Sequence, residues 1–113
     1  MSIVDFFNSE QIISHLVDLA KSESVRVTLH AHQEMVEEDI ELDDVLIALT
    51  QGKLVENYPD HERGPCCLIC GKTKTGEYLH VVCTTSLDVA VIITVYIPKK
   101  PKWITPYQRG NKI

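Results

Sequence analysis

Two histidines set the terms of any chemistry this chain can do. His30 opens a helical stretch, and His80 lies inside an apolar, β-branched run. An imidazole pair can divide the work of general base and general acid near neutral pH. His30 would sit at a helix start, close to backbone N–H groups that favour an anion. The run after His80 carries Thr94 and Tyr96, whose hydroxyls can orient an imidazole or a phosphate. Arg63 stands beside Gly64-Pro65 in a loop, and its planar guanidinium suits phosphate or carboxylate. Tyr58 and Tyr96 each close a strand, where the ring packs and the hydroxyl reaches outward. Lys72 flanks a hairpin turn. Together these types fit proton transfer around a phosphate, with His80, His30 and Tyr96 as catalytic candidates. Arg63, Tyr58, Thr94 and Lys72 are the candidates for holding the substrate. His15 and His61 read as solvated, and His32 faces away from His30.

The cysteines offer a rival chemistry. Cys67-x-x-Cys70 matches half a zinc knuckle, with Cys66 and Cys83 to spare. Residues three apart on a strand point to opposite faces, and Leu68-Ile69 is a poor turn. The thiols therefore read as small buried hydrophobes, reduced and without metal. No cofactor is expected.

These side chains need elements to hold them. Asn8 can cap a helix over Ser9–Lys21, in which Ile12, Ile13, Leu16, Leu19 and Ala20 keep helical spacing. Residues 25–29 form either a short strand or an extended lead-in. Residues 30–38 and 40–49 read as two more helices, and Gly52 is a good stop for the second. Strands follow at 53–58, 66–73, 78–85 and 89–96. The last of these is apolar at almost every position, so it belongs inside a sheet. The fold class is α+β: N-terminal helices packed on a four-stranded antiparallel meander sheet. Residues 1–98 make one domain. Residues 99–113 read as a basic, flexible arm, because proline cannot donate to a ladder, with Trp103 available to pin it.

Totals narrow the field. A chain of 113 residues supports one domain with a proper core. No stretch approaches the ~20 apolar residues of a membrane span, and the start lacks a basic leader, so a cytoplasmic protein is expected. The net charge of −5 hides a split. Residues 1–70 hold 4 Lys/Arg against 14 Asp/Glu, whereas residues 71–113 hold 7 against 2. An acidic total argues against a general nucleic-acid binder but leaves room for a small basic site.

A longer pattern runs through these residues. It consists of His30-Ala31, Met35, Ile40 and Val45, then Tyr58-Pro59-Asp60, Arg63-Gly64-Pro65, Leu68 and Gly71. Leu79-His80-Val81-Val82, Ile93-Thr94-Val95-Tyr96, Pro98 and Trp103 complete it. In these the chain resembles the bacterial domain-of-unknown-function (DUF) family 4258, over residues ~25–105. Members resemble toxins of toxin–antitoxin pairs, many encoded beside a short zinc-finger antitoxin-like protein. Their helix-then-sheet layout is similar to RelE-like ribonuclease folds. The resemblance implies an RNA substrate, a metal-independent endoribonuclease (an mRNA interferase), and an antitoxin-like partner. By position it carries over His30, Tyr58, Arg63, His80, Thr94 and Tyr96. Many relatives read His-Ala-x-x-Arg-Met, whereas this chain has Glu34 before Met35, which removes a phosphate-binding cation from that helix. The rival function is a non-catalytic interaction module working through the sheet edge or the acidic helices. An enzyme needs the polar groups in one open, basic cleft; a module needs a broad apolar or acidic patch.

Overall fold

The computed structural model describes residues 8–62 and 64–110. Helix α1 spans Ser9–Lys21, with the Asn8 side chain accepting from the Gln11 N–H at 3.2 Å. A short strand β1 (Val25–Val27) leads into helix α2 (Leu29–Glu38). Thr28 caps α2, accepting from Ala31 N–H at 3.1 Å while its hydroxyl donates to the Ile93 carbonyl at 3.3 Å. Asp39 ends α2 in the left-handed region, and helix α3 (Leu42–Gln51) follows at once. Strands β2 (Lys53–Tyr58), β3 (Cys66–Lys72), β4 (Tyr78–Thr84) and β5 (Ala90–Tyr96) come next. A small separate hairpin, β6 (Trp103–Thr105) and β7 (Gln108–Arg109), closes the described chain.

The α+β class stands, and β2 to β5 do run antiparallel in chain order, but these four strands are not the whole sheet. The sheet has five strands in the order β1-β5-β4-β3-β2, and β1 runs parallel to β5. The reason lies in β5. Those four strands alone would leave this apolar strand on an open edge, a template for aggregation. Here β1 covers its first half, pairing Val25 with Ala90 and Val27 with Ile92. Helix α2 covers the second half, where the Glu34 carboxylate accepts from the Val95 N–H at 3.0 Å.

One face of the sheet packs the helices. Ile12, Leu16, Ala31, Met35, Val45 and Leu49 meet Ile69, Leu79, Val81, Ile92 and Val95 there. Helix α3 comes close to the sheet at Gly71, where an added Cβ would lie 2.5 Å from the Ala48 Cα. Among the described residues the opposite face carries no helix. Instead the C-terminal stretch, read as a flexible arm, folds its β6–β7 hairpin toward it and buries Trp103 against His80.

Two bulges decide what that second face displays. In β2 the register slips between Leu54 and Glu56, so Leu54 pairs with Ile69 but Glu56 pairs with Leu68. In β5 it slips between Ile92 and Thr94, which pair with Cys83 and Val82. Each extra residue reverses the alternation downstream. Without them Glu56, Tyr58, Thr94 and Tyr96 would point into the helical core.

Candidate functional site

The helix-free face gathers a carboxylate, an imidazole, two phenols and a guanidinium. Across it, Tyr96, His80, Cys70 and Lys53 occupy successive strands in one row. Glu56 and Tyr58 stand on β2, and Arg109 reaches them from β7. Its Nε donates to Glu56 Oε2 at 2.7 Å and its Nη2 to Oε1 at 2.8 Å, a bidentate pair of the strong kind. The Tyr58 hydroxyl donates to the same carboxylate. Arg109 also lies over the Trp103 ring, 4.6 Å from its centroid. Trp103 in turn meets His80 edge-on at 4.4 Å.

His80 is fully buried and both its ring nitrogens are engaged. Nε2 lies 2.6 Å from the Pro106 carbonyl, which can only accept, so Nε2 carries the proton. Nδ1 then accepts from the Tyr96 hydroxyl at 3.1 Å. The imidazole thus joins β5 to the hairpin segment around Pro106.

Electrostatics sort the groups by protonation. The hydrogen bond from Arg109 holds the Glu56 carboxyl below its ordinary range, so it is ionised at neutral pH. Burial, reinforced by the bond to Glu56, pushes Tyr58 up to about 12, so it stays a donor. Burial lowers His80 from its ordinary 6.5 and raises Tyr96. A buried histidine with a lowered folded value binds its proton more weakly than the unfolded chain does. Its contribution to stability is complete above about pH 6.5 and is lost as the pH falls below that toward the folded value. Urea unfolding at about pH 7.5 and about pH 5.5 should show the wild type losing stability on acidification. His80→Gln should lose distinctly less, and equal losses would contradict the burial of a neutral imidazole.

The expected acid–base pair is not assembled. His30 has a side chain 68% exposed, and its Nε2 lies 3.3 Å from Glu34 Oε1. The same oxygen accepts from Thr94 Oγ1 at 2.5 Å. His30, Glu34 and Thr94 therefore form a chain along the β5 edge, while the ring nitrogens of His80 are taken by Tyr96 and Pro106. Glu34 serves the sheet edge through Thr94 and the Val95 N–H. Tyr58, His80 and Tyr96 do come together on one face. Lys72 stands at the end of β3, its ammonium 5.1 Å from the Tyr78 ring centroid. Arg63 lies outside the described residues.

Sequence pattern does not mark Glu56 or Arg109 as site residues. Simple alternation from Lys53 would turn Glu56 inward, and only the bulge turns it out. No local pattern links Arg109 to a strand fifty-three residues away.

The thiols take opposite faces as strand geometry requires. Cys67 lies opposite Cys83, and Cys70 opposite His80. All four are buried and none is joined in a disulfide. Contact with Cys67, added to burial, raises the Cys83 thiol well above its ordinary value, and burial raises Cys70. Among the described residues no three His, Cys, Asp or Glu side chains cluster as a metal site would need. A cavity of about 220 Å³ lies elsewhere, between the α2–α3 turn and the β3–β4 turn. Asp44 on its wall is spoken for, accepting from the N–H groups of Glu41 and Lys74. No helix among the described residues is long and apolar enough to cross a membrane.

Neither the curated proteins nor the solved structures contain a match to this chain. A family profile, described as a domain of unknown function, does match, over residues 27–97. That span runs from the last residue of β1 through β5, with α2 and α3 whole, and it includes Glu56, Tyr58, His80 and Tyr96. The hairpin with Trp103 and Arg109 lies beyond it. More than half of the chain is matched, and the protein belongs to the domain-of-unknown-function family DUF4258.

Proposed function

We propose that this protein is a metal-independent endoribonuclease of toxin type, acting in a bacterial cytoplasm and paired with a small zinc-finger antitoxin-like protein. One observation carries the proposal: the bidentate Glu56–Arg109 pair, joined by Tyr58, on the helix-free sheet face beside His80 and Tyr96. The Glu56 side chain is 26% exposed and that of Arg109 43%, so a phosphodiester can approach both.

The chemistry follows from the protonation states. Ionised Glu56 takes the proton of a ribose 2′-hydroxyl, and the 2′-oxygen attacks the adjacent phosphorus. Arg109 neutralises the charge that builds on the phosphorane. Tyr58, protonated at neutral pH, gives its proton to the departing 5′-oxygen. The products are a 2′,3′-cyclic phosphate and a 5′-hydroxyl. His80 does not touch substrate in this scheme; it positions Tyr96 and the hairpin that carries Arg109. The test is incubation of a mixed RNA with purified protein in excess chelator, together with growth after induced expression. Cutting and growth arrest are expected.

A second reading has one observation in its favour. Leu29 and Val36, seven apart on α2, are 72% and 68% exposed, an apolar stripe of the kind a partner covers. If the wild type neither cuts RNA nor slows growth, the interaction module takes the place of the enzyme.

A further inference from the structure

The basic groups of this acidic protein are not scattered over the helix-free face. They sit on its rings. Lys53 Nζ lies 5.8 Å from the Tyr107 centroid, Lys72 Nζ 5.1 Å from Tyr78, and Lys102 Nζ 5.6 Å from Tyr96. Tyr78 and Tyr107 meet edge to face at 5.9 Å and 82°. Both are exposed, at 37% and 46%, although burying a ring is ordinarily favourable. An edge-to-face pair holds both rings in place while leaving their exposed parts open to a flat guest.

This ring pair adjoins the candidate centre. Tyr78 is two residues from His80 on the same strand face, and Tyr107 follows Pro106, whose carbonyl holds His80. Lys72 lies directly opposite Tyr78 across β3 and β4, and Lys53 stands two strands from His80 in the same row. The one carboxylate placed on this face above, Glu56, is neutralised by Arg109.

We propose that Tyr78 and Tyr107, flanked by Lys53 and Lys72, form a stacking platform for the bases of single-stranded RNA, leading its backbone toward Glu56 and Arg109. Aromatic faces for bases, interleaved with cations for phosphates, are what single-strand binding requires, and stacking tolerates any sequence. The inference rests on the ribonuclease reading for its substrate, but binding can be measured without cleavage.

The probe is a short, fluorescein-labelled 2′-O-methyl oligouridine. It presents bases and phosphates but has no 2′-hydroxyl to attack with. Tyr107→Ala should weaken its binding about 5- to 150-fold, the cost of one lost stack, while Tyr107→Phe binds like wild type. Lys72→Gln should reduce the salt dependence of binding by about 0.7 in log–log slope, and Tyr107→Ala should leave that slope unchanged. The platform is overturned if the wild type does not bind the probe, or if Tyr107→Ala binds as tightly as Tyr107→Phe. It is also overturned if an acidic peptide displaces the probe equally well from wild type and Tyr107→Ala, which would mark a charge-only surface for a protein partner. The two proposals fail separately. A wild type that binds through Tyr107 but cuts no RNA loses the enzyme and keeps the platform. One that cuts RNA with binding indifferent to Tyr107 does the reverse.

Discussion

Glu56→Gln is expected to slow RNA cleavage ~100- to 10,000-fold, the usual cost of removing a general base. The amide keeps the volume of the carboxylate, and its oxygen can still accept from Arg109 Nη2 and Tyr58, although the bond from Arg109 Nε is lost. What disappears is the charge that takes the 2′-proton. Arg109→Gln should cost ~100- to 1,000-fold by a different route, leaving the phosphorane uncompensated. It also releases Glu56 from the bond that keeps its carboxyl low. The pH–rate profile of this variant should therefore lose activity on acidification at higher pH than the wild type does. Initial rates on a fluorogenic oligoribonucleotide check both variants, with far-UV circular dichroism as the folding control. A folded Glu56→Gln that cuts at the wild-type rate would place the base elsewhere.

The largest effect on stability is expected from Trp103→Ala. Trp103 is 2% exposed and lies between His80 and Arg109. Truncating a buried tryptophan typically costs 3–5 kcal/mol, roughly, through lost contacts and the cavity left behind. The consequence here is also local. The hairpin loses its anchor, and Arg109 is delivered to Glu56 by that hairpin. Urea unfolding should show the loss, and Trp103→Phe should recover a large part of it. A Trp103→Ala protein as stable as wild type would mean that the hairpin contributes nothing to the fold.

Much of the framework was legible because local signals agreed. The Asn8 cap and the spacing of Ile12, Leu16 and Leu19 place α1 where it is. The strands β2 to β5 begin and end within a residue or so of the turn residues that bound them. The place of β1 was not legible. Its Val-Arg-Val is too short to announce a strand, and its partner lies some sixty-five residues away, paired in parallel with no turn to mark it. The tail misled for a related reason. Its prolines bar it from the main sheet, but they do not prevent a separate hairpin once Trp103 has a surface to bury.

The candidate site was legible only as far as alternation holds. Residue type alone points to Tyr58, His80 and Tyr96, and they do share a face. His30 was paired with His80 on chemistry alone, and the fold sends it to the β5 edge with Glu34 and Thr94. Glu56 and Arg109 escaped notice because their meeting depends on a bulge and on the return of the tail, both of them long-range consequences of folding. Lysines and tyrosines that look like ordinary surface residues in sequence become a patterned face for the same reason.

The most direct measurement of the central claim is the end chemistry of cut RNA. Purified wild type, in excess chelator, would be given one oligoribonucleotide and the DNA oligonucleotide of matching sequence, and the products resolved by mass spectrometry. The account predicts RNA fragments ending in 2′,3′-cyclic phosphate, new 5′-hydroxyl ends and intact DNA. An uncut RNA would contradict it, and so would fragments carrying 5′-phosphates or cleavage of the DNA.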